Sequence, residues 1–200
     1  QPTKRSVLPA RIFGSAEAKW AFVVSRVAEL HRLGRPVLIG TDSVADSDRL
    51  AQRLANFGLS PQVLNARDDG SEAAVIARAG ELKTITVTTN MAGRGTDIAL
   101  GRGVAELGGL HVICCQSNVA RRIDRQLQGR CARQGDPGST ETVVSIDQSR
   151  SVRHLPSPFL RLLAEPNRTA PLAPIVGALL IDLPRRIEEL RHQFERWQLL

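Results

Sequence analysis

The chemistry in this chain concentrates between Thr88 and Ser139, where two stretches rich in glycine and arginine flank one short apolar run. The first reads TTNMAGRGTDI. In it Gly93 and Gly95 flank Arg94, so the backbone can come close to an anion and offer amide hydrogens while a guanidinium stands beside them. Asp97 follows, placed to orient that arginine, a ribose hydroxyl or a metal-bound water. The second stretch reads RRIDRQLQGRCARQGDPGS. A helix over residues 119–133 sets Arg122, Gln126, Arg130 and Arg133 on one face, beside an apolar stripe of Val119, Ile123, Leu127 and Cys131. One side then packs on a sheet and the other aims arginines at an anion. Gly129 interrupts the pattern, and a helix that stops there puts Arg130 and Arg133 on a loop. A guanidinium grips phosphate oxygens bidentately and keeps its proton, which suits it to charge developing on a transferring phosphoryl group. Any one of these arginines alone reads as a solvated surface residue; the ordered pair of stretches does not.

Positioning such groups needs a scaffold, and the rest of the chain spells one. Residues 1–14 read as an irregular incoming strand or linker, with Pro2 and Pro9 opposing helix. Ser15 caps a helix that carries Glu17 in its first turn, buries Trp20, Val23, Val24, Val27 and Leu30, and stops near Gly34. His31 falls near its end. An apolar strand over 37–40 leads through a turn at 41–43 to a helix presenting Leu50, Leu54 and Phe57. A strand over 62–64 follows, then a helix begun by Ser71 or by the Asp68-Asp69-Gly70 turn, with Val75 and Ile76 inward. An alternating β-branched strand over 84–88 delivers the chain into the first Gly/Arg stretch. Residues 99–109 form a loop, 110–114 a buried strand with His111 as a satisfied sheet histidine, Asp136-Pro137-Gly138 a turn, and 141–146 a last strand. This alternation predicts an α/β fold, a parallel sheet with helices on both faces and ligands off the carboxyl ends of its strands.

After residue 148 the composition shifts. Prolines at 156, 158, 166, 171 and 174 mark a linker holding one short helix over 159–164. Val176, Leu180, Leu183, Ile187, Leu190, Phe194 and Trp197 then form the seam of a long packing helix, which Pro184 starts or kinks. The division is 1–150 for the sheet domain and 151–200 for the linker and helix.

TTNMAGRGTDI and QLQGRCARQGDPGS, with GVAELGGLHVI between them, resemble the fifth and sixth motor motifs of SecA, the bacterial preprotein translocase ATPase. GRPVLIGTDSVADSDRLAQRL and VLNARDDGSEAAVIARAG resemble the preceding strand-helix units of the same domain. The resemblance implies a RecA-like second nucleotide-binding half, followed by the start of a C-terminal helical extension. It assigns Arg130 and Arg133 to the γ-phosphate as arginine fingers and lines the cleft with Gly93, Arg94, Gly95 and Asp97. Gln126 and Gln134 would link nucleotide state to closure of the cleft. ATP and Mg2+ would be held mainly by the first nucleotide-binding domain of the same protein, and no residue of this chain is assigned to metal. The partners implied are preprotein and a SecY-type channel at the inner membrane, with the protein in the bacterial cytoplasm, peripherally associated with that membrane. SecA-type sequences carry a Thr-Glu-Arg-His-Glu-Ser-like run where this chain has Cys115, Gln116, Ser117, Asn118, Val119 and Ala120. Asp69-Gly70 replaces their His-Glu pair, and Gln148, Ser149 and Arg150 replace an Asp-Asp-Leu-like continuation. These departures imply a divergent paralogue.

Composition agrees with a packed globular domain, with 42% hydrophobic and 24% charged residues in 200. The formal charge is +7, and of 27 basic residues only Lys4, Lys19 and Lys83 are lysines. None lies in a G-x-x-x-x-G-K-[ST] loop, and no acidic Walker B strand end occurs, so this chain alone is expected to be inactive. Cys114, Cys115 and Cys131 lack metal-site spacing and read as small buried residues in a reducing compartment. The best apolar run, 175–183, is short for a bilayer and contains Asp182. The chain does not start with Met, so it is expected to begin inside a longer protein. Two other readings stay open: the C-terminal motor domain of a nucleic-acid helicase, and a non-enzymatic regulatory module. Against the helicase, no aromatic stacking platform is evident and nucleic acid is not expected as a partner.

Overall fold

The computed structural model describes residues 4–64, 69–89, 97–115, 126–133, 135–148 and 170–171. Gly93, Arg94, Gly95, Gln134, the arginines at 121, 122 and 125, and the expected linker and seam helix lie outside the described residues. In chain order the elements are β1 (Lys4–Val7), β2 (Arg11–Phe13), α1 (Ala16–Arg32), β3 (Val37–Thr41), α2 (Val44–Asn56), β4 (Gln62–Leu64), α3 (Asp69–Arg78), β5 (Ile85–Thr89), β6 (Leu110–Cys114) and β7 (Pro137–Ser145). The strands make one parallel sheet in the order β1-β7-β6-β3-β5-β4, and β2 continues along β7 beyond β1.

Alternating strand positions feed two separate cores. Val37, Ile39, Ile85, Val87, Ile113 and Val143 pack under Trp20, Val23, Val27 and Leu30 of α1 and Leu50 and Leu54 of α2. Leu38, Leu64, Leu110, Val112 and Cys114 pack on the other face with Ile76 of α3 and with Ile98, Leu127 and Cys131. The helices therefore cover both faces, as the alternation of elements predicts. Cys114 and Cys115 fall in opposite cores, and all three cysteines are free thiols buried from solvent.

α1 forms where the sequence signals it. The Ser15 hydroxyl accepts from the Ala18 amide at 3.3 Å, Glu17 lies in the first turn, and the expected apolar stripe is buried. α2 is capped the same way by Ser43. Phe57 departs from expectation: it is the C-cap of α2 and 61% exposed, because the helix ends before another turn can bring it to the sheet.

Three strand expectations are sharpened or corrected. Of the two readings for residues 1–14, incoming strand or linker, the described part takes the first, as two short strands, Lys4–Val7 and Arg11–Phe13. Val7 pairs with Thr140 and Arg11 with Val143, so one extra residue around Pro9 bulges out between them. Pro137 and Gly138 begin β7 instead of a turn; proline is tolerated there because a first strand residue can forgo its ladder donor. β5 spans Ile85–Thr89 with every position buried, since a central parallel strand is covered on both faces.

The largest surprise lies beneath α1. Glu141 on β7 is 1% exposed, and its Oε1 meets His111 Nε2 at 3.0 Å and Arg26 Nε at 3.2 Å. Arg11 of β2 stands 3.8 Å from Oε2. A carboxylate only accepts, so His111 donates from Nε2 and its Nδ1 accepts from the Ser139 hydroxyl at 2.7 Å. Arg35 in turn donates to that hydroxyl oxygen at 2.9 Å and to the carbonyls of Gly108 and Gly109. His111 is thus the satisfied sheet histidine expected, but its carboxylate partner was not foreseen.

Burial pushes the Glu141 carboxyl up, but hydrogen bonds and charge from His111 and Arg26 outweigh it and hold its pKa below the usual carboxylate range. Burial pushes the His111 pKa down, against the pull of Glu141. Both folded values lie below the unfolded ones, so the unfolded chain binds more protons in acid and stability rises with pH. Stability should therefore fall as pH drops from ~7 through ~4, the range of ordinary His and Glu titration. Glu141→Gln is expected to cost about 1.5–3 kcal/mol at neutral pH, because the buried acceptor of His111 and Arg26 loses its charge while Arg26 keeps Glu29 and Arg11 stays half-exposed. It should also flatten the acid fall below about pH 5; urea unfolding across pH measures both.

Candidate functional site

The second Gly/Arg stretch is laid directly on the sheet. Residues 126–128 are helical, and Leu127 drops onto Gly40 of β3 so closely that a Cβ there would strike the leucine side chain. Four residues on, the Cys131 thiol lies 3.8 Å from the Ser139 carbonyl of β7. A Cβ at Gly138 would stand 2.9 Å from both the Ala132 nitrogen and Cys131 Cβ. The two glycines let the segment seat against the strands.

The helix stops at Gln128, so Arg130 and Arg133 do not extend a helical face with Gln126; they lie on a turn, the outcome Gly129 allows. The Arg130 amide donates to the Leu127 carbonyl at 3.0 Å, and Ala132 adopts a left-handed φ of 56°. That reversal presents Arg133. Its Nε donates to the Gly129 carbonyl at 2.9 Å and its Nη1 meets Asp97 Oδ1 at 2.9 Å. Asp97 Oδ1 also accepts from the Ile98 amide at 3.1 Å. Asp97 thus holds Arg133, a partner not foreseen beside Arg94, a ribose hydroxyl or a metal-bound water. The side chains are 40% and 47% exposed, so this is a surface pair that aims a guanidinium and contributes little stability, about 0–1 kcal/mol. Arg130 is partly exposed and Gln126 exposed.

The turn runs from the carboxyl end of β3 at Gly40 toward the first residues of β7, over the face that carries α3. Arg133 follows directly on that crossing and is held by Gly129 and Asp97. A half-exposed guanidinium fixed by two contacts suits a phosphate. Among the described residues no cluster of three His, Cys, Asp or Glu could hold a metal ion. Among them, too, no helix is long and apolar enough to cross a membrane.

A parallel sheet covered by helices on both faces, crossed on one of them by the arginine turn, is a RecA-like fold. The fold is that of the crystal structure of E. coli DEAD-box protein SrmB bound to regulator of ribonuclease activity A. The TM-score is 0.55 at 18% identity, over 86% of this chain and 89% of that one. The family model of the SecA P-loop domain matches residues 2–104 and 101–157, and the chain belongs to that family. It is 44% identical over 188 residues to protein translocase subunit SecA 2 of Magnetococcus marinus, covering 94% of this chain and 29% of that protein. It is 49% identical over 160 residues to SecA 2 of Chlorobium chlorochromatii, covering 80% and 24%. Against protein translocase subunit SecA of Halothermothrix orenii the identity is 48% over 147 residues, covering 74% and 17%. The chain therefore spans between 17% and 29% of the length of these relatives.

A left-handed alanine costs about 1–2 kcal/mol, and glycine returns roughly 0.5–1 kcal/mol of that as backbone entropy lost on folding. Ala132→Gly is expected to raise stability by up to ~1 kcal/mol, read from the urea midpoint. A clear loss of stability would mean that the alanine methyl contributes more by packing than its backbone costs.

Proposed function

We propose that this chain is the second nucleotide-binding half of a SecA-like, ATP-driven protein translocase motor. It supplies arginine fingers to a nucleotide held by the first nucleotide-binding domain of the same protein. The observation that carries this reading is Arg133, half-exposed and aimed by the Gly129 carbonyl and Asp97. Arg130, three residues earlier on the same turn, is its companion at the γ-phosphate. Gly93, Arg94, Gly95, Gln126 and Gln134 complete the lining of the cleft. ATP and Mg2+ supply the phosphoryl chemistry and belong mainly to the other half.

The work of this half is electrostatic. Fixed guanidiniums neutralise charge that builds on the phosphoryl oxygens, and because Arg133 is already oriented it needs little rearrangement when that charge appears. Family membership supports the further reading that the whole protein moves preprotein through a SecY-type channel from the cytoplasmic side of the inner membrane. The departures around 115–120 and 148–150 fit a paralogue with its own substrates, and residues 1–150 form the motor unit with 151–200 leading into a helical scaffold.

An arginine finger is typically worth ~10³ to 10⁵ in turnover. Arg130→Ala or Arg133→Ala in the intact protein should lower ATP turnover on that scale while leaving the melting temperature unchanged, and near-normal turnover would reject the role. The 200-residue chain alone should bind ATP weakly and hydrolyse none. Turnover stimulated by RNA, and not by unfolded preprotein, would favour the helicase reading.

A further inference from the structure

The two halves of the Arg133–Asp97 pair are anchored very differently. Around Arg133 the backbone is closed on itself: the Arg130 amide donates to the Leu127 carbonyl at 3.0 Å, and the Asp136 amide to the Arg133 carbonyl at 2.9 Å. The Gly129 carbonyl that takes Arg133 Nε belongs to the same turn, so this contact opens only if the turn does. Asp97 is tied down through its neighbour instead. Ile98 is 5% exposed and packs in the core beneath α3, whereas the Asp97 side chain is half-exposed. Rotation about its Cα–Cβ bond takes the carboxylate away from Arg133 without moving the backbone.

A guanidinium grips phosphate oxygens along one of two forked edges, Nε with Nη2 or Nη1 with Nη2. Here Gly129 occupies Nε and Asp97 occupies Nη1, each at 2.9 Å, so each edge already has one donor engaged. The carbonyl is neutral and fixed. The carboxylate is charged and able to leave. While no phosphate is present, it neutralises the guanidinium and keeps it in one direction. Once a phosphate sits on Arg133, the same carboxylate faces a second anion close by, an arrangement that like charges disfavour. Magnitudes decide which anion keeps the arginine. An exposed ion pair changes an equilibrium by about fivefold at most, and a phosphate held by two parallel charge-assisted hydrogen bonds prevails over it.

We propose that Asp97 is a positioning residue, the resting counter-ion of Arg133, which holds the guanidinium while the site lacks a γ-phosphate and gives it up when one arrives. Binding of a triphosphate must break this pair; binding of a diphosphate need not. Asp97 therefore lowers the preference of the site for triphosphate over diphosphate, and keeps an aimed arginine from clinging to its ligand. This inference rests on the motor reading above, since it needs Arg133 to meet the γ-phosphate.

Equilibrium binding of ADP and of a non-hydrolysable ATP analogue to the intact protein tests it, read as the ratio of the two dissociation constants. Asp97→Asn keeps an oxygen for the Ile98 amide and removes the charge. It should raise the preference for the triphosphate about threefold to fivefold, the scale of one exposed ion pair. In an Arg133→Ala background the same substitution should leave the ratio unchanged. Loosening of the fold, or loss of a contact to the parts both nucleotides share, weakens both ligands alike, so a merely structural role would not move the ratio. An unchanged or lowered ratio in Asp97→Asn overturns the proposal. So does an equal rise with and without Arg133, because the carboxylate then acts on the phosphate by itself. If Arg133→Ala alone leaves the wild-type ratio unaltered, the assignment of Arg133 to the γ-phosphate falls as well.

Discussion

The arginine turn depends on how near its backbone can come to the sheet, and two absent side chains set that distance. At Gly40 the strand leaves room for Leu127, and at Gly138 for Cys131 and Ala132. Between these points the segment has little freedom, so the left-handed backbone at Ala132 and the hydrogen bond from Arg133 to Gly129 follow from where its ends are anchored. Packing has therefore already oriented the guanidinium. Interiors pack densely enough that a small displacement at one strand changes the arrangement above it, and the aim of Arg133 inherits the rigidity of β3 and β7.

The domain uses buried charge in two different ways. Glu141 gathers Arg11, Arg26 and His111 and so joins β2, α1, β6 and β7 through one carboxylate. Lys19 makes a single short bond to the neutral amide of Gln148, in surroundings where acidic groups stay at a distance. The first arrangement is over-determined and suits an element that does not move. The second rests on one hydrogen bond and the Trp20 ring.

Where local chemistry decides structure, the sequence was readable. Ser15 as a cap, the turn over 41–43 into α2, the stripe from Trp20 to Leu30, and the buried runs of β3 and β6 all announce themselves through periodicity and helix-end signals. Gly129 likewise marks where helical structure stops. Where a partner distant in sequence decides, the sequence was ambiguous or misleading: residues 1–14 read equally as strand or linker until β7 offers β1 and β2 an edge, and Pro137-Gly138 looks like a turn until Lys4 and Leu110 pair with it. Glu141 and Lys19 were illegible for a related reason, since a charged residue reads as exposed until its partners are known. Ala132 gave no hint of its left-handed backbone, because alanine rarely adopts it. Of the site, the pairing of Arg133 with Asp97 was missed because those residues meet only after the chain has crossed the sheet.

The leading strands have one more implication. β1 and β2 run along the outer side of β7, a nine-residue strand whose other side is taken by β6. Stripped of them, β7 would become a long rim of unsatisfied amides and carbonyls, the surface on which foreign strands add and aggregates grow. Residues 4–13 thus act as a seam that keeps the domain from sticking to its own kind. A truncation tidy enough to begin at the first helix would trade solubility for neatness.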